Sequence, residues 1–223
     1  MDSGQQPTAA TVFDAIGAEY EQAFAGSAAH RASLDQLLER LAPHSRVLDV
    51  GSGTGRPTAQ TLTDAGHEVL GVDVSPVMVD IASRQVPRAA FRCADIRELP
   101  LEEGSFDAAC VYFSLLQMSR ADQSEVLRLL ARSLRTGGHL AVATVPLDLE
   151  GVSGEFMGRP VRVTSFGPAE FTALVAGAGF SVLSERSSVF TPAHPEAAPE
   201  PHLFLLARRT RGSRRRDRDA PPP

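Results

Sequence analysis

Residues 47–55, with the sequence VLDVGSGTG, join an apolar segment to three glycines that alternate with other residues. Val47, Leu48 and Val50 are typical of a strand buried on both faces of a parallel sheet. Because glycine has no Cβ, the turn that follows can approach a bound molecule closely. The dinucleotide-binding fingerprint GxGxxG has glycine at its sixth place, where this chain has Arg56. The segment therefore predicts a strand and a ligand-binding turn without a pyrophosphate cradle.

Carboxylates follow three predicted strands in this half of the chain. Asp49 lies at the end of the first strand, Asp73 follows the apolar run 69–72, and Asp95 follows the segment FRCA. The carboxyl ends of parallel strands share one edge of a sheet, where ligands bind. A carboxylate at the tip of the second strand can accept both hydrogen bonds of a ribose diol. Asp95 is expected within reach of an adenine amino group, so the three strand tips predict a nucleoside site.

The ordered motifs of the chain resemble those of the class I S-adenosylmethionine-dependent methyltransferases. The segment VLDVGSGTG is similar to the family's first motif and GVDVSPVMVDIA to its second. CADIRELPLEEGSFDAACVYFSLLQM resembles the adenine loop and fourth strand, and LRTGGHLAVAT the turn into the fifth strand. The likeness is densest from residue 46 to about 145 and extends more weakly from Phe13 to Arg208. Among the family's branches, the chain most resembles small-molecule methyltransferases of the ubiquinone-biosynthesis type.

The resemblance implies an α/β fold with a Rossmann-like, seven-stranded, mostly parallel sheet, helices on both faces and an antiparallel last strand. We expect one methyltransferase domain over residues 12–208, with N-terminal lid helices at 12–45 and a substrate-side insertion at 146–166. The spacing of apolar residues predicts two amphipathic helices before the first strand. Residues 1–11 and the Arg/Pro-rich tail 209–223 are expected to be disordered.

The resemblance also implies S-adenosyl-L-methionine as cofactor and S-adenosyl-L-homocysteine as product. It implies that the glycine turn lines the methionine and ribose portions and that Asp73 takes the ribose hydroxyls. Val74 and Met78 would flank the adenine, and Asp95 and Ile96 would contact its polar edge. The full set of implied cofactor-binding residues is Asp49, Gly51, Ser52, Gly53, Gly55, Asp73, Val74, Met78, Ala94, Asp95, Ile96, Tyr112 and Tyr20.

Several of these residues also have ordinary structural interpretations. Asp49 can be a turn-forming carboxylate, and Val74 and Met78 can be plain core residues. The resemblance places Tyr20 on a lid helix near the cofactor's carboxylate, but a half-buried helical tyrosine that packs on the core fits equally well. Asp73, at a strand tip, has no evident core role.

The residues after the fourth predicted strand are expected to form the substrate wall, because ligands gather beyond the carboxyl ends of the strands. The predicted substrate-binding residues are Phe113, Leu116, Gln117, Arg159 and Arg162. The two arginines belong to the segment EFMGRPVRVTSF, which has two interpretations. It forms either a lid that faces an acidic substrate or a strand edge that the arginines protect.

No catalytic base is evident in the sequence. Tyr20, Tyr112 and Gln117 are weak candidates, and His30 and His202 are weaker ones. A sulfonium methyl is already activated, so we expect catalysis mainly by positioning for in-line displacement. The histidines have no metal-ligand spacing, and no metal is expected.

The charge distribution and the hydropathy of the chain limit the classes of partner that we expect it to bind. From Arg208 onward the chain carries seven arginines and two aspartates, but no aromatic residue that could stack on bases. A nucleic-acid contact and a solvated tail are both conceivable, and we expect the solvated tail. No apolar run reaches the length of a membrane span, and the N-terminus lacks a signal for export. We therefore expect a cytoplasmic bacterial protein, monomeric or homodimeric, with a small-molecule partner and no membrane or nucleic-acid partner.

Three functions are compatible with these motifs. The first is methyl transfer to an oxygen or nitrogen of a small-molecule acceptor, in secondary metabolism. The second is S-adenosylmethionine binding on the same fold with no transfer or with a different reaction. The third, a nucleotide-dependent dehydrogenase, is disfavoured by Arg56. The first two predict the same pocket, since a fold does not determine a chemistry.

Overall fold

A computed structural model describes residues 8–196 and 198–210 of the chain. Its strands, in chain order, are β1 (Arg46–Val50), β2 (Glu68–Asp73), β3 (Ala90–Cys93), β4 (Phe106–Tyr112), β5 (Leu134–Thr144), β6 (Val152–Phe156), β7 (Arg159–Val163), β8 (Phe180–Phe190) and β9 (Glu200–Arg209). The helices are α1 (Ala9–Ile16), α2 (Glu19–Phe24), α3 (Ala28–Leu38), α4 (Thr58–Asp64), α5 (Pro76–Gln85), α6 (Arg120–Ser133) and α7 (Pro168–Gly177).

Seven strands form the main sheet, in the order β3-β2-β1-β4-β5-β9-β8. The first five are parallel to one another, and the last strand of the chain, β9, is antiparallel to both of its neighbours. The predicted fold class is therefore confirmed. The strand order reverses between β1 and β4, and open α/β sheets bind their ligands at this switch point.

The core fills both faces of the sheet, as parallel strands require. On one face α6 and α7 pack on the strands through buried residues such as Leu127 and Phe171. On the other face α3 and α4 contribute Leu37 and Leu62. In the described part of the chain, no helix combines the length and the apolar character needed to cross a membrane.

The N-terminal region forms three helices before β1, where the sequence predicted two. The apolar spacing continues through this region, but Gly17 has a φ of 53°, in the left-handed region that ends a helix. Helix α1 begins at Ala9 with Thr8 as its N-cap, so helical structure starts before the predicted boundary at residue 12. The rest of the segment that was expected to be disordered, residues 1–7, lies outside the described residues.

The C-terminal boundary also differs slightly from the prediction. Strand β9 continues to Arg209, and the amide of Thr210 donates a hydrogen bond to the carbonyl of Gly179 at 3.0 Å. Strand pairing and this hydrogen bond thus continue beyond residue 208. The remainder of the predicted tail, residues 211–223, lies outside the described residues.

The predicted insertion contains a two-stranded antiparallel hairpin, β6 and β7, separate from the main sheet. Its buried residues Met157 and Val161 form a small core with Val12 and Ile16 of α1 and Ala23 of α2. The hairpin and the N-terminal helices therefore cover the same region of the sheet edge.

Leu127 tests the packing of α6 on the sheet. We expect Leu127→Ala to lower the free energy of unfolding by about 2–5 kcal/mol, because a fully buried leucine leaves a cavity. Urea unfolding measures the change. Arg128→Ala, at the adjacent exposed position, should stay within about 0.5 kcal/mol of the wild type. Equal losses in the two variants would contradict this packing.

Candidate active site

The glycine turn after β1 is fixed by backbone hydrogen bonds to the end of β2. The amides of Gly51 and Ser52 both donate to the carbonyl of Val72, at 2.7 and 3.2 Å. Gly51 has a φ of 69°, and a Cβ there would lie 2.1 Å from the Cβ of Ser114. Gly53, with a φ of 51°, has open space where a Cβ would stand. Gly51 is thus needed for close packing against Ser114, whereas Gly53 lies beside open space.

Asp73 joins this turn to the next helix. One carboxylate oxygen accepts a hydrogen bond from the amide of Gly53, and the other accepts one from the amide of Ser75, both at 2.9 Å. Burial raises the pKa of the Asp73 carboxyl, while these amide donors oppose the shift. Because each carboxylate oxygen has a second lone pair, Asp73 can still accept hydrogen bonds from a ligand.

Ser75 confirms the predicted start of α5. Its hydroxyl oxygen accepts a hydrogen bond from the amide of Met78 at 3.1 Å, and Pro76 occupies the first helical position. The same hydroxyl donates to Asp14 of α1 at 2.5 Å. The first N-terminal helix is therefore anchored next to Asp73.

Asp49 is the most unusual titratable group of the site. It is 2% exposed, and its Oδ2 atom has no hydrogen-bond partner. Burial, reinforced by the charge of Asp73, raises the pKa of the Asp49 carboxyl to about 8. A buried carboxyl without a counter-charge is costly unless a ligand supplies a partner. Its position favours a ligand with a cationic group over an ordinary turn-forming role.

A cleft of about 700 Å³ opens at the carboxyl ends of β1, β2 and β4. One end is lined by Asp73, the following residue Val74, the buried Met78, and Ala94, Asp95 and Ile96 after β3. Asp95 forms a bidentate ion pair with Arg97, which lowers the pKa of the Asp95 carboxyl. This end offers two carboxylates and apolar surfaces that suit a flat heterocycle and a diol.

A second cavity of about 290 Å³ adjoins the cleft at the glycine turn. Its polar lining includes Asp49, Ser52, Thr54 and Arg56. The side-chain hydroxyls of Ser52 and Thr54 are buried without hydrogen-bond partners, and Arg56 lies 3.7 Å from Glu21 of α2. The two cavities share the lining residues Tyr20, Phe24, Gly51, Gly53, Tyr112 and Phe113.

Aromatic side chains from α1, α2 and β6 cover the cleft. The ring centroids of Tyr20 and Phe24 lie 4.8 Å apart, and those of Phe24 and Phe156 lie 6.0 Å apart. Phe13 contacts Tyr20 edge-to-face at 5.8 Å. Leu147, Val161 and Val163 extend the same apolar wall. These side chains give the cleft an apolar aromatic wall.

The tyrosines proposed as weak catalytic candidates both face the site but do not suit the role of a base. Burial raises the pKa of the Tyr20 hydroxyl, and the charges of Glu200 and Asp73 raise it further. Burial likewise raises the pKa of Tyr112, whose hydroxyl forms a 3.0 Å hydrogen bond with Ser33. Both phenols therefore stay protonated at neutral pH.

The structure brings most of the predicted residues to the two cavities, including Phe113, Leu116 and Gln117. Gly55 is an exception, because a Cβ there would meet Val86 and Phe91 behind the turn, at 3.0 and 3.1 Å. It serves packing and does not line either cavity.

The two predicted substrate arginines also lie away from the cavities. Arg162 is exposed and donates a hydrogen bond to the carbonyl of Gly151 at 2.8 Å, and Arg159 is exposed at the start of β7. Val161 and Val163 line the cleft instead. This arrangement agrees with arginines on the outer surface of the hairpin and not with a cationic lid over an acidic substrate.

Sequence reasoning missed one carboxylate and undervalued one histidine. Glu200 lines the large cleft and His202 the small cavity, and the two form a 2.8 Å contact on β9. His30, the other weak histidine candidate, is half-buried against Tyr112, and desolvation lowers its pKa to about 4. Alternation along a strand places Glu200 and His202 on one face, but nothing local indicates that this face meets the site.

Comparisons with known proteins agree with this geometry. A model described as a methyltransferase domain matches residues 47–138. The demethylmenaquinone methyltransferase of Thermus thermophilus is 33% identical over 70% of this chain and 82% of that protein. The enzyme of the same name from Beutenbergia cavernae is 43% identical, over 51% of this chain and 45% of that protein. The chain spans less than half the length of several curated relatives that it matches.

Solved structures extend the likeness to nearly the whole chain. The 4+2 cyclase SpnF superposes with a TM-score of 0.71 and 25% identity, covering 93% of this chain and 98% of that one. The 1,6-didemethyltoxoflavin-N1-methyltransferase of Burkholderia thailandensis superposes with a TM-score of 0.68 and 24% identity, covering 90% and 86%. That structure contains 1,6-didemethyltoxoflavin and S-adenosylhomocysteine.

The fold and the site together define a Rossmann-like protein with a cleft at the switch point of its sheet. The chain belongs to the S-adenosylmethionine-dependent methyltransferase family. The residues present fit the family's cofactor. Its ammonium group offers the missing partner for Asp49, and its ribose can use the remaining lone pairs of Asp73. The cofactor is S-adenosylmethionine.

Asp49 should make the ligand-free protein less stable as the pH rises. The carboxyl titrates near 3.8 when unfolded and at about 8 when folded, so the unfolded state loses its proton first. The free energy of unfolding therefore falls between about pH 4 and 8. Asp49→Asn lacks this loss and should be more stable than the wild type at pH 7.5, by a few kcal/mol in order of magnitude. Thermal unfolding from pH 5 to 8 measures the difference.

The same substitution should weaken the binding of S-adenosylmethionine by about 1.5–3 kcal/mol, because the bound cation favours the ionised form of Asp49 and an asparagine cannot ionise. Calorimetric titration at pH 7.5 provides this value. If Asp49→Asn neither stabilised the free protein nor weakened binding, Asp49 would not be the partner of the cofactor's cationic group.

Proposed function

We propose that this chain transfers the methyl group of S-adenosylmethionine to an oxygen or nitrogen of a small, largely apolar acceptor. The observation that carries the proposal is the joining of two unlike regions in one cleft. A polar end with Asp73 and Asp95 meets an apolar end walled by Phe156 and Val161. The first suits a nucleoside and the second suits an apolar molecule beside it.

The proposed binding roles follow from the lining of the site. The glycine turn and Asp49 hold the methionine portion, and Asp73 holds the ribose diol. Val74 and Met78 contact the adenine ring, and the residues around Ile96 contact its edge. Tyr20, protonated and shared by both cavities, donates a hydrogen bond near the methionine portion.

When bound, S-adenosylmethionine supplies a methyl group that is already activated by its sulfonium. The chain's own residues orient the acceptor and keep water away. The aromatic cover formed by Phe13, Tyr20, Phe24 and Phe156 closes the cleft, and Gln117 offers an amide to orient the acceptor. Holding two reactants in line contributes up to about 7–11 kcal/mol in model reactions, so positioning accounts for much of the rate.

The proposal extends to the setting of the reaction. Curated relatives include proteins named O-methyltransferase from Pyrenophora dematioidea and Aspergillus sclerotiorum and a methyltransferase from Streptomyces halstedii. The name O-methyltransferase supports an oxygen acceptor, and the compounds named for the Thermus thermophilus and Burkholderia thailandensis enzymes support a small-molecule acceptor. We place the activity in the cytoplasm of a bacterium and in secondary metabolism, with a monomer or homodimer as the working form.

The alternative is a protein that binds S-adenosylmethionine on this fold without transferring its methyl group. The similarity to a 4+2 cyclase supports this alternative, because that reaction has a different chemistry on the same fold. The apolar end of the cleft would also suit a cyclisation substrate. The two functions differ in whether labelled methyl leaves the cofactor.

The cofactor is tested first by calorimetric titration with S-adenosylmethionine, S-adenosylhomocysteine and NAD. Binding of the first two at micromolar affinity, about −8 kcal/mol, and no binding of NAD is expected. Transfer is then tested with methyl-labelled S-adenosylmethionine and a panel of phenols, aliphatic alcohols and amines. Label recovered in an acceptor supports methyl transfer, whereas tight binding without transfer to any acceptor favours the alternative.

Asp73→Ala should weaken the binding of S-adenosylmethionine by about 1.5–3 kcal/mol, the scale of lost hydrogen bonds to a charged group. Asp35→Ala, at an exposed position of α3, is the matched control and should bind like the wild type. Circular dichroism verifies that both variants are folded. Unchanged affinity in Asp73→Ala would mean that the ribose is held elsewhere.

A further inference from the structure

We propose that Glu200, positioned by His202, takes the proton from the acceptor, and that the acceptor is therefore an acidic hydroxyl compound, a phenol or an enol. The inference rests on the proposed methyl transfer and specifies its substrate class. It assigns a catalytic role to Glu200, at the start of the only antiparallel strand of the main sheet in the described chain, and a positioning role to His202.

Glu200 and His202 form a preorganised pair. The Nε2 atom of His202 lies 2.8 Å from Oε1 of Glu200. Because a carboxylate can only accept, Nε2 carries the hydrogen of this contact. The Nδ1 atom is buried without a partner, and a second proton there would be unsatisfied. His202 is therefore a fixed donor that orients Glu200.

Packing holds the imidazole in this orientation. His202 is 1% exposed and lies between Phe113 and Phe190, at ring-centroid distances of 4.4 and 5.6 Å. Phe113 lines both cavities and has a φ of 59°, a strained conformation for a residue other than glycine. Such strain is common where a side chain must be held at a functional site.

Glu200 lines the large cleft, whereas His202 lines the small cavity. The Glu200 side chain is 24% exposed, and its charge raises the pKa of Tyr20. His202 and Tyr20 are the titratable groups that face it. Since Tyr20 stays protonated, the free oxygen of Glu200 is the proton acceptor in this part of the cleft.

Three of the four other carboxylates that line the cleft already have partners. Both oxygens of Asp73 accept backbone amides, and Asp95 is paired with Arg97. Asp122 accepts a hydrogen bond from Ser119 and lies 3.2 Å from Arg97. Glu155 remains, but it stands on the exposed hairpin strand β6, without a neighbour that fixes its orientation.

The proton transfer itself fixes the acceptor class. The acceptor's O–H bond breaks, its electron pair stays on oxygen, and the proton moves to the free oxygen of Glu200 and then to solvent. A carboxylate is a weak base, so it can assist phenols and enols far better than aliphatic alcohols. Among the described residues, Arg97 is the arginine that lines the cleft, and it is paired with two aspartates, so no unpaired arginine there would hold an acceptor that is already anionic.

Glu200→Gln tests the role of the base, with phenol and alkyl-substituted phenols, which stay protonated in solution at pH 7, as probe acceptors. We expect kcat at pH 7 to fall by about 100-fold or more, with KM for the phenol and the affinity for S-adenosylmethionine changed less than about threefold. The variant's rate should rise with pH until the phenol ionises in solution. A purely structural role would not produce that rescue. Glu185→Gln, on β8 beside Thr172 and away from the cleft, is the matched control.

His202 is tested by two substitutions. His202→Gln keeps a donor for Glu200 and should retain most of kcat, whereas His202→Phe keeps the aromatic packing and should lose about tenfold or more. The absorbance of 4-nitrophenol bound with S-adenosylhomocysteine gives a readout without turnover. Its apparent pKa should be higher in the wild type than in Glu200→Gln, because the carboxylate opposes a second negative charge.

The outcomes separate this inference from the proposed function. Loss of kcat in Glu155→Gln but not in Glu200→Gln would overturn the assignment of the base. A wild type that methylates amines but neither binds nor methylates any phenol would overturn the acceptor class and leave methyl transfer intact. Binding of S-adenosylmethionine without transfer to any acceptor would overturn both.

Discussion

The structure depends on the hydrogen bonds that tie the glycine turn to the tip of β2. The carbonyl of Val72 accepts two amides of the turn, and the carboxylate of Asp73 accepts the amide of Gly53 and that of Ser75. Two neighbouring strands, one turn and one helix thereby share a single anchor. The anchor places a carboxylate and an open glycine side by side at the switch point of the sheet. The cofactor pocket follows from it directly.

The groups that suit this site to a ligand lower the stability of the ligand-free protein. Asp49 is buried with an unpartnered oxygen and a raised pKa, and the hydroxyls of Ser52 and Thr54 are also buried without partners. Such groups destabilise a protein in isolation and become favourable when a ligand supplies their partners. The aromatic cover adds the complementary feature, because electrostatic contacts are stronger in apolar surroundings than in water. The same few atoms thus lower the stability of the free protein and offer partners to a ligand.

The sequence predicted the fold, and it predicted which residues line the cleft around Asp73, because these signals are local. Strand, glycine turn, helix cap and strand-tip carboxylate lie within a few residues of one another. The break at Gly17 was missed since the helical spacing continues across it. The roles of Gly55 and Arg162 could not be predicted, because they depend on contacts made only after folding. Gly55 packs against Phe91 behind the turn, and Arg162 donates a hydrogen bond to Gly151 across the hairpin. Glu200 enters the cleft only because β9 inserts between β5 and β8.

A crystal structure of the protein with S-adenosylhomocysteine would test the central claim most directly. We expect the ribose hydroxyls within hydrogen-bond distance of Asp73, the amino group beside Asp49, and the adenine ring between Val74 and Ile96. The sulfur should then face the apolar end of the cleft. A ligand bound elsewhere, or one with its adenine at Asp49, would contradict the account.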